Sequence, residues 1–466
     1  MAKPTLDGLP IELRVSILRE VSDFTSLRAL LLASREYYRA YDNIRPRILF
    51  ELLFRQYNGQ VDFVESLTTI RSKGLWAEDA KNTEDIIALL DFRRRASKEG
   101  NLPKYDHDSL TIKELVQLLK LHETASFLLE DYSKSLEQPD WWQSGTHGVW
   151  KPVRFSSNER TRFFRAFYRL QTWCHIFGHM EYYPIRPTRE TDQFINDWYG
   201  KTFSAADAWR LLWGTMPPWE VEEVGCIWLY CDNKYLKIFE EIRDTLLERF
   251  VPRYPGAPPT VENHLDGDLV PEGTPMSSID ELESERAHIP RIQPIQNTNF
   301  LSFAGMDGCS RRDEMIAIGL CFFAKVLRSN NEEREKAILN NLRRPFWTSV
   351  DRELWQIGRL GNNERLPLLS PADRYEREDL ADVISSWPLL EQPNQAWIKY
   401  WCAGTPLHPD IWLIYPLGHG VPTCALDTGE WDWGYVLWDT ERILQWNPPV
   451  LEQDFDPWQT FTRRDT

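Results

Sequence analysis

The sequence predicts a mainly α protein: a three-helix N-terminal module, then a large irregular helical body with a candidate small β element near the C-terminus. Three observations carry that prediction. Apolar residues recur three or four positions apart through most of the chain, the period of an amphipathic helix. Runs of strand type are short and late, at Trp412-Leu-Ile-Tyr415 and Gly434-Tyr-Val-Leu-Trp438, in a stretch rich in Trp, Pro and Gly that reads as a small sheet or an irregular packed tail. No repeat of roughly 20 to 50 residues is visible, which argues against propellers, leucine-rich solenoids and ankyrin arrays. With 466 residues, 42% hydrophobic and 27% charged, the chain has the composition of a folded protein and the length for a sizeable core.

The elements follow in order. Leu9, Leu13, Ile17 and Val21, widened by Leu18, form the stripe of a first helix, with Pro10 where an opening turn tolerates it. Asp23 to Ser26 offers capping groups before Leu27, Leu30 and Leu31, and a third stretch carries Tyr37, Tyr38 and Tyr41. Pro46 opens a fourth helix over residues 47–57, with Ile48, Leu49, Leu52 and Leu53 inward. Helical spacing continues over residues 84–95, 112–129, 159–177, 205–213 and 235–250. Residues 252–296 break it with eight prolines and as many acids, too little apolar surface to offset ordering entropy, so a mobile loop or linker is expected. The helical pattern returns over 312–327 and 332–342. The expected organisation is therefore a module at 6–45, a helical body at 46–251, the acidic proline-rich excursion at 252–296, and a second part of the body at 297–466.

Charge and cysteine usage narrow the function classes. The net charge of −16 repels phosphate backbones and acidic headgroups, so neither nucleic acid nor a membrane is expected as a partner. The first 60 residues are nearly balanced, nine Lys and Arg against seven acids, which sets the N-terminal segment apart. No apolar run reaches the roughly 18 residues of a membrane span, and the N-terminus has no secretory h-region. Seven scattered cysteines suit free thiols in a reducing cytoplasm or nucleus. Twenty-one Trp is an unusual load, and Trp enriches both cores and recognition surfaces.

The most specific pattern is Leu9-Pro-Ile-Glu-Leu13, then Ile17-Leu18, Val21, Asp23-Phe24, Ser26-Leu27, Leu30, Ala33-Ser-Arg35 and Tyr37. It resembles an F-box, in particular the fungal variant, over about 40 residues, and Arg45-Pro-Arg-Ile-Leu49 continues the likeness to near residue 55. The C-terminal Gly434-Tyr-Val-Leu-Trp-Asp439 is similar to an ending found in fungal F-box proteins. The resemblance implies a three-helix module that docks on the Skp-type adaptor of a cullin-RING ubiquitin ligase, with the rest of the chain recognising a protein substrate. It implies that Leu9, Pro10, Ile17, Leu18, Leu27, Leu31 and Tyr37 either face the adaptor or hold the three helices together. Tyr37 stands where many F-boxes carry Trp.

Other motifs are weaker. Gly200-Lys-Thr202 lacks the upstream Gly of a phosphate loop, where the chain has Ile195. Cys174, His175 and His179 place two imidazoles one helical turn apart, the spacing of a metal-binding face, but no Glu follows the first His as in a metalloprotease, and the spacings within Cys402, His408, His419 and Cys424 match no finger pattern. Core histidines and buried thiols are the plainer reading, also for Cys226 and Cys231. Arg93-Arg-Arg-Ala-Ser97 reads as a solvated helix end before it reads as a kinase target, and Ser277-Ser-Ile-Asp-Glu281 is a second phosphorylation candidate.

The sequence thus predicts a non-catalytic receptor without cofactor or metal, acting by effective concentration on an unknown target. The loop-borne pairs Trp141-Trp142 and Trp431-x-Trp433 are the candidate substrate-binding residues. An F-box scaffold outside any ligase is the first alternative, and an enzyme centred near residues 174–179 the second.

Overall fold

The computed structural model describes residues 6–77, 79–99, 109–136, 138–139, 141–142, 152–178, 181, 203, 205–242, 312, 314–341, 384–389, 391–403 and 433–451. The N-terminal module consists of α1 (Ile11–Glu20), α2 (Phe24–Ala33) and α3 (Arg35–Asp42). Local caps start the second and third helices: the Asp23 carboxylate accepts the Ser26 N–H at 2.7 Å, and Ser34 Oγ accepts that of Tyr37 at 3.4 Å. Arg14 ties α1 to α3 by donating to the Glu36 carboxylate at 3.0 Å, and holds the chain entering α1 by donating to the Leu9 carbonyl at 2.8 Å.

Three helices of eight to ten residues bury too little surface to stand alone, and α4 (Arg45–Tyr57) covers their inner side. Ile48, Leu49, Leu52 and Leu53 are all buried, as the spacing predicts. Arg55 reaches the open C-terminal end of α1, donating to the carbonyls of Arg19 and Val21. Arg19 pairs with Glu51 at 3.2 Å, and Thr25 on α2 donates to Glu123 at 3.0 Å. The module is therefore seated on the body rather than strung from it.

The body contains α5 (Phe63–Ser72), α6 (Thr83–Glu99), α7 (Ile112–Ser135), α8 (Ser157–Ile176), α9 (Ala205–Leu211), α10 (Pro218–Glu241), α11 (Leu320–Arg328), α12 (Asn331–Asn341), α13 (Gln395–Ala403) and α14 (Thr440–Trp446). Capping boxes at Thr111/Glu114 and Ser156/Glu159 start α7 and α8. Helix α8 is central, packed on α5 and α10, while α7 lies against α4. Among the described residues the fold is mainly helical and no strand forms.

Three departures from the sequence reading have physical causes. Helix α5 has no visible stripe because every residue but Arg71 is buried; Ser66, Thr69 and Ser72 satisfy their hydroxyls on the helix's own carbonyls. Helix α10 begins at Pro218, well before residue 235, because residues 219–232 are buried all round and show no amphipathic period. The segment 312–327 is broken at Gly319, whose φ of +119° admits no side chain beside the Gln171 amide; Gln171 Oε1 accepts the Cys321 N–H at 3.0 Å.

The candidate strand at residues 434–438 is corrected: Tyr435–Leu437 is a 3₁₀ turn. Gly434 is left-handed, φ +68°, and a Cβ there would strike the Tyr132 hydroxyl, so the chain turns instead of extending. Residues 252–296 and Trp412–Tyr415 lie outside the described residues.

Candidate functional site

The residues of the F-box pattern divide into two sets. Leu18, Leu27 and Tyr37 are each only 1% exposed and form the interior of the module with Ala40 and Tyr41. Leu9, Ile17 and Leu31 are half-buried, and Pro10 is exposed. The largest exposed apolar side chains of the module are others: Leu6, Ile11, Leu13, Leu32 and Tyr38. Nine large apolar side chains are exposed among the described residues, and these are five of them, all within residues 6–38. Four of the five lie on three adjacent short helices and Leu6 on the turn before them, a concentration of the kind an interaction surface needs, whereas scattered exposure is ordinary. Pattern matching missed these residues; the signal available for Leu13 was its place in Leu-Pro-x-Glu-Leu.

The two tryptophan pairs, distant in sequence, meet. Trp141 packs edge-on against Trp433 at 5.4 Å, and Trp142 against Trp446 at 5.8 Å. Of these candidate recognition residues Trp433 is buried, while Trp141 and Trp142 are half-buried. Trp431 lies outside the described residues. The segment 433–446 is fastened to the start of α8. Asp439 accepts from Ser156 and, at 2.9 Å, from Arg162; Arg442 donates to Glu159 at 2.6 Å and sits over the Trp438 and Trp446 rings. The Asn394 amide donates to the carbonyls of Tyr435 and Trp438 at 2.6 and 2.9 Å. The Gly-Tyr-Val-Leu-Trp-Asp run therefore serves packing, each polar atom named here being used to hold the segment down.

Inside the body lies a buried charge network that the sequence did not signal. Glu65 on α5 accepts two hydrogen bonds from Arg93 on α6, at 2.8 and 2.7 Å, and one from Arg169 on α8 at 2.7 Å. Arg169 continues to Glu220 at 2.7 Å, and Arg165 pairs with both Glu220 at 2.7 Å and Glu223 at 2.5 Å. Three carboxylates and three guanidiniums thus balance. Burial by itself would raise the Glu65 carboxyl, but the Arg93 and Arg169 guanidiniums outweigh it and hold Glu65 at about 2. For Glu223 burial prevails and the carboxyl is raised despite Arg165. The network corrects one expectation: Arg93 is not part of a solvated helix end but is buried, whereas Arg94 and Arg95 are exposed, both paired with Asp91.

The histidine and cysteine candidates are taken up by neighbours. His175 Nδ1 lies 3.1 Å from the Thr69 carbonyl and 3.0 Å from Ser72 Oγ, and Cys174 Sγ donates to the Ile316 carbonyl at 3.3 Å. Burial lowers His175 to about 4. Cys226 and Cys231 are buried thiols, and burial raises Cys231 well above the usual thiol range. No group of three or more His, Cys, Asp or Glu side chains with metal-holding geometry occurs among the described residues. His179, residues 200–202, the set 402/408/419/424 and Ser277–Glu281 lie outside them or have side chains that do. Among the described residues no helix is long and apolar enough to cross a membrane. In comparisons with known proteins, no family model, no curated protein and no solved structure matches the chain.

Proposed function

We propose that the chain is an F-box substrate receptor: residues 6–45 dock on a Skp-type adaptor and through it on a cullin, and the helical body presents a target protein for ubiquitination. The observation that carries this reading is the placement of Ile11, Leu13, Leu32 and Tyr38 on the surface of three short helices whose spacing resembles the F-box, with Leu6 on the turn before them and Leu18, Leu27 and Tyr37 inside. The protein's contribution is positional and not catalytic, converting a bimolecular encounter with the charged conjugating enzyme into a tethered one. Half-buried Trp141 and Trp142 are the target-binding candidates, since Trp is among the residues most enriched at interface hot spots.

Co-purification tests the reading. The wild-type chain captures a Skp-type adaptor and cullin from a cytoplasmic or nuclear extract, and Leu13→Glu and Leu32→Glu lose that capture while keeping the melting temperature. Undiminished capture by both folded variants overturns the interface. Capture of the adaptor with no ubiquitinated partner, even with the proteasome blocked, favours a scaffold acting outside a ligase.

A further inference from the structure

The first turns of α10 carry three buried carboxylates that point to two different parts of the molecule. Glu220 and Glu223, one turn apart, meet Arg165 and Arg169 on α8. Glu222, between them in sequence, accepts from Trp397 Nε1 on α13 at 3.2 Å and from the Tyr435 hydroxyl of the 3₁₀ turn. Glu222 is 0% exposed and Glu223 1%. One side of this turn therefore leads through Arg169 and Glu65 to Arg93 and the Thr215 hydroxyl, 2.9 Å from Arg93. The other side leads to the segment 433–446 and its tryptophans.

We propose that residues 220–223 of α10 are a coupling element, so that the seat of α5 and α6 and the seat of the C-terminal segment are held or loosened together. The physical ground is the cost of a buried charge without its partner. Loosening Arg93 leaves Glu65 undercompensated and draws Arg169 toward it, which weakens the hold on Glu220. Glu220, Glu222 and Glu223 share the same turns of α10, so a shift of that backbone re-aims Glu222, which receives the hydroxyl that orients Tyr435. The tight packing around it, with Trp219 and Trp397 fully buried edge-on at 5.4 Å, transmits a backbone shift instead of absorbing it. The consequence is that the C-terminal aromatic cluster, including the half-buried Trp141 and Trp142, responds to changes at α6 although Arg93 and Tyr435 are joined only through intermediates in this chain of contacts. The proposal is independent of what docks on the N-terminal module.

A double-mutant cycle on the full chain tests it, with Arg93→Lys, Tyr435→Phe and the double variant, read as urea unfolding constants. Coupled seats give a double variant whose loss of stability is at least threefold smaller in equilibrium constant than the product of the single losses, because the second change acts on a turn already released. A double variant within threefold of that product shows independent sites and overturns the proposal. If Arg93→Lys fails to fold, Thr215→Val, which deletes the hydroxyl that accepts from Arg93 and donates to the Leu212 carbonyl, takes its place in the same cycle with the same criterion.

Discussion

Replacing Glu65 by Gln tests how the body is held together, since the change is nearly isosteric and removes one charge from the centre of the network. Glu65 is 0% exposed and its carboxylate receives Arg93 twice and Arg169 once. Its folded-state carboxyl stands at about 2 against an ordinary 4.5, so ionisation stabilises the fold at neutral pH by roughly 3–4 kcal/mol. The same size follows from the rule that removing one partner of a buried pair costs about 3–5 kcal/mol. Because this pKa is depressed by folding, the contribution is fully present above pH 4.5 and disappears as the pH falls toward 2. Urea unfolding of Glu65→Gln, followed by fluorescence of the buried Trp173 and Trp219, is expected to show a loss of about 3 kcal/mol at pH 7 that narrows below pH 4.5. A loss under about 1 kcal/mol at pH 7, or one that does not change with acid, would refute the assignment of a charge-compensated core.

Four further outcomes follow from the geometry. Leu18→Ala, at a site 1% exposed, should cost about 2–5 kcal/mol, whereas Leu32→Ala, at 78% exposed, should stay within about 0.5 kcal/mol; equal effects in thermal or urea unfolding would contradict the two-sided module. Tyr37→Phe should be neutral or stabilising by up to about 1 kcal/mol, because the buried hydroxyl has no hydrogen-bond partner among the described residues; a clear loss would reveal one. His122, lowered to about 4 by burial against Tyr57 and Phe164, is neutral in the folded protein and gains a proton on unfolding between pH 6.5 and 4. The stability advantage of the wild type over His122→Gln should therefore shrink as pH falls through that window, and a constant difference in urea midpoint would argue against a buried neutral imidazole. Gly434→Ala should destabilise more than a surface change, since its φ is positive and the Tyr132 hydroxyl occupies the Cβ position; a melting temperature equal to wild type would show that the turn can re-form otherwise.

Sequence alone was enough to place the amphipathic helices and not enough to place what lies between fully buried faces. Helices α4 and α7 were legible because a solvent face alternates with the core at a helical period, and α8, buried throughout residues 162–174, because its apolar residues still recur three or four apart among buried arginines. Helix α5 and the first half of α10 were hidden because burial on every side erases that period, and in α5 polar residues occupy buried positions by bonding within the helix. The charge network was invisible for a related reason: Glu65, Arg93, Arg165, Arg169, Glu220 and Glu223 lie on four helices, and a charged residue read singly looks like solvated surface. The module's pattern of apolar residues was legible, but not which of them face outward. Leu18 and Leu27 look like Leu13 and Leu32 in sequence, and only the packing of α4 beneath them separates the two sets. The meeting of Trp141-Trp142 with Trp433 and Trp446 depends on Arg162, Glu159 and Asp439 drawing a late segment onto the start of α8, a long-range pairing with no local signal.

The central claim is that the outward apolar residues of the first three helices bind a Skp-type adaptor, and calorimetric titration of the purified full chain with purified adaptor tests it most directly. The account predicts saturable one-to-one binding with a negative heat-capacity change, weakened at least tenfold by Leu13→Glu and by Leu32→Glu and unchanged by Trp141→Ala. No heat of binding for the wild-type chain, or equal affinity in both Glu variants with the fold intact, would contradict it.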